Sequence, residues 1–555
     1  MQKEEKVELL HTTIGAELRA KARSDKDRNF IVYSDRDLRW SYGAFDKRVD
    51  DLAKGFLTIG LRKGDHVGIW AANVPDWLTV FFAIVRAGMV AVTVNTGYKT
   101  YELEYLIKQS DLKALCIIDG YRDSDYVGMI YDLVPELRTS PLGNLNSERF
   151  PCLKMVVNIG DSKHRGMYHL SEVLLIGSNR SDSELSEIES QITDEDVACI
   201  MYTSGTTGNP KGVMLTHFNL LNNGKANVAR GVVKHGSIVC LPLPLFHVYG
   251  LSAGILSILV LGATAAMLEN FDPLMFMAVI QKEKCDVLYG VTTMFISMLN
   301  HPMLNMFDFS SVKTGGSGGS LAPVEMIKQV MVKFHCPGLY SGYGLTECSP
   351  VVTTCFPEDP AELRTTTIGK AVPGVEVSIR DPENNNELPS DTQGEICVRG
   401  HCIMKGYYKM EEETKKIIDA EGWLHTGDLG QMNKDGYINI TGRIKDLIIR
   451  GGENIYPKEV EDFLYTMPGI KEIQVTGVPS NKYGEEVAAF IVLKDKAALN
   501  EEDVQDFCRG KISNFKIPRY VFFQDSFPTT ASGKVQKFKL RETGEMLIQK
   551  AGTGT

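Results

Sequence analysis

The chain has 555 residues, of which 43% are hydrophobic and 23% are charged. This composition is ordinary for a globular protein and excludes a wholly disordered or fibrous chain. The 60 basic and 70 acidic residues leave a formal net charge of −10, which lacks the overall positive charge typical of a nucleic-acid-binding protein.

The eleven cysteines are scattered, contain no CxxC pair and have no zinc-like spacing with histidine. We therefore expect reduced thiols, no structural metal and a reducing compartment. The charged start of the chain leads into no apolar run, so we expect no signal peptide and a cytoplasmic protein. No basic amphipathic stretch indicates a membrane surface, and peripheral membrane association is left open.

The first 120 residues alternate between amphipathic stretches and apolar β-branched runs. Apolar residues recur at helical spacing over 42–57, and 76–86 predicts a second helix. Strands are predicted over 66–71, 89–95 and 113–119. This β-α-β alternation predicts an α/β fold with mainly parallel sheets.

The most apolar window, residues 251–268, is near the ~18-residue length of a membrane span. It contains small and polar residues such as Ser252 and Gly254. We therefore predict a buried helix that turns at Leu261 and Gly262 into a buried strand.

The pattern changes near residue 380, where a turn-rich cluster is followed by short alternating strands. Beyond Arg443, about 110 residues have the size of a small separate domain. Their patterns predict helices over 457–465 and 501–512 and strands over 473–478, 487–493 and 520–524. We predict two domains, 1–443 and 444–555.

The strongest local signal is a loop rich in glycine and hydroxyl residues that follows a buried-strand pattern over 197–201. Its backbone N–H groups, its hydroxyls and one lysine suit a polyphosphate. The Walker A spacing is absent, so the chain is not an ordinary P-loop NTPase. The loop reads Tyr202-Thr203-Ser204-Gly205-Thr206-Thr207-Gly208-Asn209-Pro210-Lys211-Gly212.

This loop resembles the phosphate-loop signature of the adenylate-forming superfamily, which includes acyl-CoA synthetases, luciferases and adenylation domains of peptide synthetases. Nearly the whole chain carries the resemblance, because the other signatures follow in order: Leu243-Pro244-Leu245-Phe246-His247, Gly318-Gly319-Ser320-Leu321, Tyr343-Gly344-Leu345-Thr346-Glu347, Trp423-Leu424-His425-Thr426-Gly427-Asp428, Gly442-Arg443-Ile444-Lys445-Asp446 and Ser532-Gly533-Lys534-Val535. The resemblance implies a large N-terminal domain of layered sheets and helices (αβαβα type) and a small mobile α+β C-terminal domain.

The resemblance also implies ATP, Mg²⁺ and CoA as ligands. Lys534 would neutralise charge between the carboxylate and the α-phosphate, a role that suits a compact point charge. Thr346 would contact the α-phosphate, and Glu347 would ligate Mg²⁺. The remaining residues implied to bind nucleotide are Thr203, Ser204, Gly205, Thr206, Thr207, Gly208, Lys211, Gly318, Gly319, Ser320, Gly342, Tyr343, Gly344, Asp428, Ile440 and Arg443.

A second group of residues is implied for the CoA step. Gly451, Gly452 and Glu453 resemble the loop that lets the pantetheine thiol approach the backbone. Lys445 matches the hinge about which the small domain would rotate between the half-reactions.

The residues predicted to line the acyl pocket are His247, Tyr249, Val291, Thr292, Gly316 and Gly344. His247 is also implied as a catalytic residue that flanks the substrate carboxylate. Amino-acid-activating relatives carry aspartate where this chain has His247, which disfavours an amino-acid substrate. Short-chain relatives carry tryptophan where this chain has Gly344, so we expect an open pocket and a substrate larger than acetate. Medium- or long-chain fatty, alicyclic and aryl acids all stay open, because an apolar slot discriminates by only about 1–3 kcal/mol per methylene.

The leading prediction is an AMP-forming acid–CoA ligase. A luciferase-like oxygenase, an adenylation enzyme serving a carrier protein and a non-enzymatic nucleotide-binding relative are the alternatives. The oligomeric state, monomer or homodimer, is left open.

Overall fold

The computed structural model describes residues 8–203, 209–318, 324–480, 482–495, 497–530 and 535–552. The chain divides into two compact units: residues 1–376 with 398–424, and residues 377–397 with 425–555. The predicted division into domains 1–443 and 444–555 stays a prediction. By compactness, residues 377–397 and 425–443 group with the residues that follow 443.

The first unit contains two large sheets. In the nine-stranded sheet, the strands in spatial order are Lys370–Ala371, Val351–Thr354, Gly338–Gly344, Thr314–Gly318, Val287–Val291, Ile238–Leu241, Thr264–Met267, Asn29–Tyr33 and Leu38–Ser41. In the eight-stranded sheet, they are Gly406–Tyr407, Lys211–Thr216, Val197–Thr203, Val90–Thr93, His66–Trp70, Ala114–Ile117, Met155–Asn158 and Tyr168–His169. The central strands of both sheets run parallel, which confirms the α/β prediction.

Helices connect these strands because apolar faces at helical spacing must be buried against a sheet or another helix. The helix Tyr42–Thr58, for example, begins at the N-cap Ser41, whose side chain accepts a hydrogen bond from the Ala44 N–H, and it buries Phe45 and Val49. The other α-helices of this unit are Ile14–Ser24, Pro75–Arg86, Thr100–Gln109, Tyr126–Leu133, Leu170–Ser178, Ser183–Glu189, His217–Val228, Ser257–Leu261, Pro273–Glu283, Thr292–Leu299, Val324–Lys333, Ala361–Thr366 and Glu411–Lys415.

The apolar window at 251–268 is confirmed as a buried helix followed by a buried strand. A π-helix over Tyr249–Leu256 continues into the α-helix Ser257–Leu261, and Gly262 ends it in the left-handed conformation. The strand Thr264–Met267 follows. Across the described residues, the helices are all too short or too polar to span a bilayer.

The second unit contains two smaller sheets. A four-stranded sheet has the order Val375–Arg380, Gln393–Gly400, Leu424–Met432 and Ile438–Arg443. A five-stranded sheet combines Glu453–Ile455, Ile448–Arg450, Gly484–Leu493, Ile470–Ser480 and Tyr520–Phe523, with the helices Pro457–Tyr465, Glu501–Cys508 and Lys537–Gly552. The predicted helix over 501–512 ends four residues early, and the other predicted elements of this unit are found within a few residues of their expected bounds.

Candidate active site

The predicted phosphate loop connects two antiparallel strands. Val197–Thr203 pairs with Lys211–Thr216, and Thr203 lies opposite Lys211. The first of these strands also lies parallel to Val90–Thr93 in the sheet interior, so both ends of the loop are fixed. Five predicted phosphate-binding residues of the loop lie outside the described residues: Ser204, Gly205, Thr206, Thr207 and Gly208.

Lys211 lies beside a carboxylate and an aromatic ring. Its Nζ is 2.5 Å from Glu413 Oε2 and 5.0 Å from the centre of the Tyr407 ring. Hydrogen bonds from Lys211 and Lys416 lower the pKa of Glu413 to about 2. These contacts therefore fix the Lys211 ammonium group at the end of the loop, where an anionic ligand would meet it.

The predicted metal ligand Glu347 follows the parallel strand Gly338–Gly344 in the short 3₁₀ turn Thr346–Cys348. The hydroxyl of Tyr407 donates to Glu347 Oε1 at 2.7 Å, and the Glu347 backbone carbonyl accepts from the Met404 N–H at 2.9 Å. Burial and the Glu347 charge raise the pKa of Tyr407 far above that of free tyrosine. Tyr407 thus stays a hydrogen-bond donor and joins Glu347 to Lys211.

Three candidate residues lie near the carboxyl ends of neighbouring parallel strands. Val291 at the end of its strand lies opposite Gly318 on the next strand. Ser317, the residue before Gly318, lies opposite Ser341 on a third strand, and Tyr343 follows two residues later on that strand. Ligands of open α/β sheets bind outside the carboxyl ends of the strands. The positions of Val291, Gly318 and Tyr343 therefore agree with a binding crevice at this edge. Gly319 and Ser320 lie outside the described residues.

The predicted acyl-pocket residues Tyr249 and Gly316 are in contact. The Tyr249 hydroxyl donates to the Gly316 carbonyl at 3.1 Å, and burial raises the pKa of Tyr249. A Cβ at Gly316 would lie 3.0 Å from the Tyr289 and Tyr340 side chains, and one at Gly318 would lie 3.1 Å from the Tyr249 ring. The absence of a side chain at these glycines therefore leaves room for tyrosine side chains of the protein itself.

His247 and Thr292, which are also predicted to line the pocket, each lie at the beginning of a helix. His247 is half-buried and lies just before the π-helix, and its carbonyl accepts from the Leu251 N–H at 3.1 Å. Thr292 is buried at the first turn of the helix Thr292–Leu299. π-helical turns occur frequently at functional sites.

Gly344 has a structural reason to be glycine. A Cβ there would lie 1.7 Å from the Pro350 carbonyl oxygen, whereas one at Gly342 would meet nothing closer than 3.5 Å. A tryptophan could not occupy position 344 without displacing the backbone at Pro350. The open pocket that we expect from Gly344 stays a prediction, since this close approach accounts for the glycine by itself.

In the second unit, Asp428 and Arg443 lie opposite each other on paired strands, and Arg443 Nε is 2.7 Å from Asp428 Oδ1. Asp428 is only 4% exposed. Ile440, also predicted to contact nucleotide, is half-buried on the same strand as Arg443. The pair presents a fixed carboxylate that can accept two hydrogen bonds from a diol.

The predicted CoA loop is a two-residue hairpin turn. Gly451 and Gly452 have φ of 60° and 89° and connect the paired residues Arg450 and Glu453. Positive φ at both central positions defines the type I′ turn, in which glycine is favoured. The predicted hinge residue Lys445 is exposed in the 3₁₀ turn Ile444–Asp446. Lys534 lies outside the described residues.

Sequence reasoning missed Tyr407 and Glu413. Neither belongs to a motif that we recognised, and both act through residues far away in the chain. The only local signal was the Gly406-Tyr407-Tyr408 run, which is equally typical of a buried strand end.

Comparison with known proteins agrees with this architecture. Residues 18–408 match the family model described as AMP-binding enzyme, and residues 459–534 match that of the AMP-binding enzyme C-terminal domain. YngI of Bacillus subtilis, which carries the name of an acyl-CoA synthetase, is 46% identical over 96% of this chain and 97% of its own. The human mitochondrial medium-chain acyl-CoA ligase ACSF2 is 38% identical over 96% of this chain and 88% of its own.

Among solved structures, ATP-bound MatB from Rhodopseudomonas palustris superposes with a TM-score of 0.81 at 28% identity and covers 97% of this chain and 99% of its own. The matched regions include the phosphate-loop hairpin, Glu347 and, in the C-terminal model, Lys534. The predicted resemblance is therefore confirmed, and the chain belongs to the AMP-binding enzyme family, the adenylate-forming superfamily.

Proposed function

We propose that this protein is an AMP-forming acid–CoA ligase. In the first half-reaction an oxygen of the carboxylate attacks the α-phosphorus of ATP, and the bond to pyrophosphate breaks. In the second, the CoA thiol attacks the acyl carbonyl, loses its proton, and AMP leaves. The observation that carries this proposal is the family match along both units. The position of Lys211 beside Tyr407, which donates a hydrogen bond to Glu347, also supports it.

The first half-reaction brings two anions together, so the site must supply positive charge and alignment rather than a protein nucleophile. Lys211 at the loop end supplies one such charge, and we assign Lys534 to the carboxylate and α-phosphate oxygens. Thr346 would donate to the α-phosphate. Asp428, with Arg443, would accept the ribose hydroxyls.

Mg²⁺ would be held by Glu347 together with phosphate oxygens, because magnesium typically uses one or two carboxylates plus substrate phosphates. Tyr407 engages Oε1 of this carboxylate, which is compatible with ligation through Oε2. When bound, the ion would neutralise phosphate charge, while Tyr407 keeps the carboxylate oriented.

The substrate that we propose is a medium-chain carboxylic acid. Relatives named medium-chain acyl-CoA ligase, at 37–38% identity, support this proposal. Position 247 is a histidine and not an aspartate that could bind an α-amine, which argues against an amino-acid substrate. Tyr249 and Val291, at the carboxyl edge of the sheet, would contact the acyl chain.

For the CoA step, we propose that Gly451 and Gly452 let the pantetheine arm pass, with Lys445 as the hinge residue. We also propose that the enzyme acts in the cytoplasm.

The test is acid-dependent exchange of labelled pyrophosphate into ATP, followed by CoA-dependent AMP release, with acetate, octanoate, palmitate and benzoate. We expect octanoate to be used most efficiently. Exchange without CoA-dependent release would favour a carrier-protein or oxygenase relative, and no exchange with any acid would refute the proposal.

Lys534→Ala should abolish pyrophosphate exchange and leave thioester formation from pre-made acyl-adenylate largely intact. Replacing Gly452 by leucine should have the opposite effect, because its φ of 89° is strained for a residue with a side chain. Equal loss of both half-reactions in each variant would contradict the assigned division of labour.

A further inference from the structure

A buried glutamate holds the segment that leads to Asp428. Glu395 lies on the strand Gln393–Gly400 and is 7% exposed. Its Oε1 accepts a hydrogen bond from the Gly427 N–H at 2.8 Å, and its Oε2 lies 2.8 Å from His425 Nδ1. One carboxylate therefore engages two of the three residues that precede Asp428.

The third residue, Thr426, is held by the same strand. Its hydroxyl donates to the Ile396 carbonyl at 2.7 Å and accepts from the Asp428 N–H at 3.1 Å. Gly427 has φ of 71°, and a Cβ there would meet nothing within 4 Å. The glycine is thus needed for the backbone conformation and not for space, and that conformation directs the chain into Asp428.

Burying an ionised carboxylate costs free energy unless hydrogen bonds compensate it. Here the compensating partners are Gly427 and His425, just before Asp428. The hydrogen bonds that replace water around Glu395 therefore also hold this segment in place. Asp428 is itself buried and held by Arg443, which leaves its carboxylate little freedom to adjust. A small displacement of Gly427 would therefore misdirect the Asp428 oxygens.

We infer that Glu395 and His425 are positioning residues that direct Asp428 toward the ribose hydroxyls of the nucleotide. The inference rests on the proposed function, which assigns the ribose to Asp428. Glu395 does not touch the nucleotide in this account. It acts through the Gly427 N–H, and His425 acts by holding the second oxygen of Glu395.

The same place also offers metal ligands, because Cys397 Sγ is 3.5 Å from His425 Nδ1, and Glu395, Cys397 and His425 together could hold a metal ion. Hydrogen bonds already engage both oxygens of Glu395 and the Nδ1 nitrogen of His425. The geometry therefore favours positioning, and a bound metal becomes an outcome of the test.

The test compares binding of AMP, 2′-deoxy-AMP and 3′-deoxy-AMP by calorimetry. The wild type should prefer AMP, and Asp428→Ala should lose that preference. Glu395→Ala should weaken AMP about tenfold, the effect of losing aligned hydrogen bonds to a charged group, while binding of the deoxy nucleotides changes little. His425→Ala should give a smaller loss in the same direction.

Glu395→Gln is the conservative variant. Its amide oxygen can still accept from the Gly427 N–H, so most of the preference for AMP should return, even if the alanine variant fails to fold. Cys397→Ser should keep the wild-type preference, because Cys397 does not contact Gly427 in this account.

The inference is overturned if folded Glu395→Ala weakens all three nucleotides equally, or if the wild type does not distinguish AMP from its deoxy forms. It is also overturned if Cys397→Ser or treatment with EDTA removes the preference, since a metal ion would then hold the segment. Nucleotide binding needs neither acid nor CoA. A preference that behaves as expected in a protein without pyrophosphate exchange would refute the proposed function and leave the positioning role standing.

Discussion

The proposed role of Glu347 as a Mg²⁺ ligand and its hydrogen bond from Tyr407 together predict a specific magnesium defect. Tyr407→Phe removes the hydroxyl that lies 2.7 Å from Glu347 Oε1 and keeps the ring that lies over Lys211. Hydrogen bonds to charged groups contribute about 1.5–3 kcal/mol. Because Glu347 is partly exposed and water can replace the lost donor, we expect a loss of about 1 kcal/mol here. Since 1.4 kcal/mol is tenfold, the Mg²⁺ concentration for half-maximal activity should rise about fivefold.

The assay is pyrophosphate exchange at fixed ATP with Mg²⁺ varied. The defect should be independent of pH up to about pH 9, because burial and the Glu347 charge raise the pKa of Tyr407 above the ordinary value near 10 and its hydroxyl stays protonated.

Tyr408→Phe is the matched control. The Tyr408 hydroxyl also donates to a carboxylate, that of Asp111 at 2.8 Å, but not to Glu347. Its Mg²⁺ dependence should match the wild type. If Tyr407→Phe is folded and its Mg²⁺ dependence is unchanged, Tyr407 does not orient a metal ligand and the reasoning fails.

Three further predictions concern the loop end, a close backbone approach and a buried imidazole. Glu413→Gln should lower the KM for MgATP severalfold, because Lys211 loses an ion-pair partner that competes with phosphate; steady-state kinetics measure this. Gly344→Ala should lower the free energy of unfolding in urea by about 1–3 kcal/mol, whereas Gly342→Ala should change it little. Burial lowers the pKa of His217 to about 4, so the unfolded chain binds the proton first as pH falls below about 6.5, and stability should drop by about 2 kcal/mol at pH 5. His217→Asn should remove that part of the pH dependence, as measured by urea unfolding at pH 5 and 7.5.

Each of these predictions has a control or a contrary outcome. Glu412→Gln should leave the KM unchanged, because Glu412 pairs with Lys415. Equal stability of the two glycine variants would mean that the backbone at Pro350 can move. A wild-type pH dependence in His217→Asn would show that other groups cause the acid sensitivity.

The parts of the fold that follow from local pattern could be predicted from the sequence. The helix Tyr42–Thr58 and the helix-to-strand turn at Gly262 have apolar spacing and a glycine stop within one window. The predicted phosphate loop stood out because its glycines, hydroxyls and Lys211 are contiguous, and its anion-binding role stays a prediction. Such signals need no knowledge of which distant segments meet.

The parts that depend on distant pairs could not be predicted. Tyr407 meets Glu347, and Glu395 meets Gly427, only because strands far apart in the chain become neighbours. Glycine was also ambiguous: Gly316 is predicted to line the acyl pocket, and a Cβ there would lie 3.0 Å from the side chains of Tyr289 and Tyr340. A single sequence shows which positions are glycine, but it does not show which residues fill the space beside them.

The pairing of Thr203 with Lys211 has a consequence for how the loop tolerates changes in length. An insertion within 204–210 leaves the strand register unchanged, so Lys211 keeps its orientation. An insertion just after Lys211 would turn every following side chain of that strand to the opposite face, because side chains alternate along a strand. The length of this connection can therefore change during evolution without altering the register of the two strands that it joins.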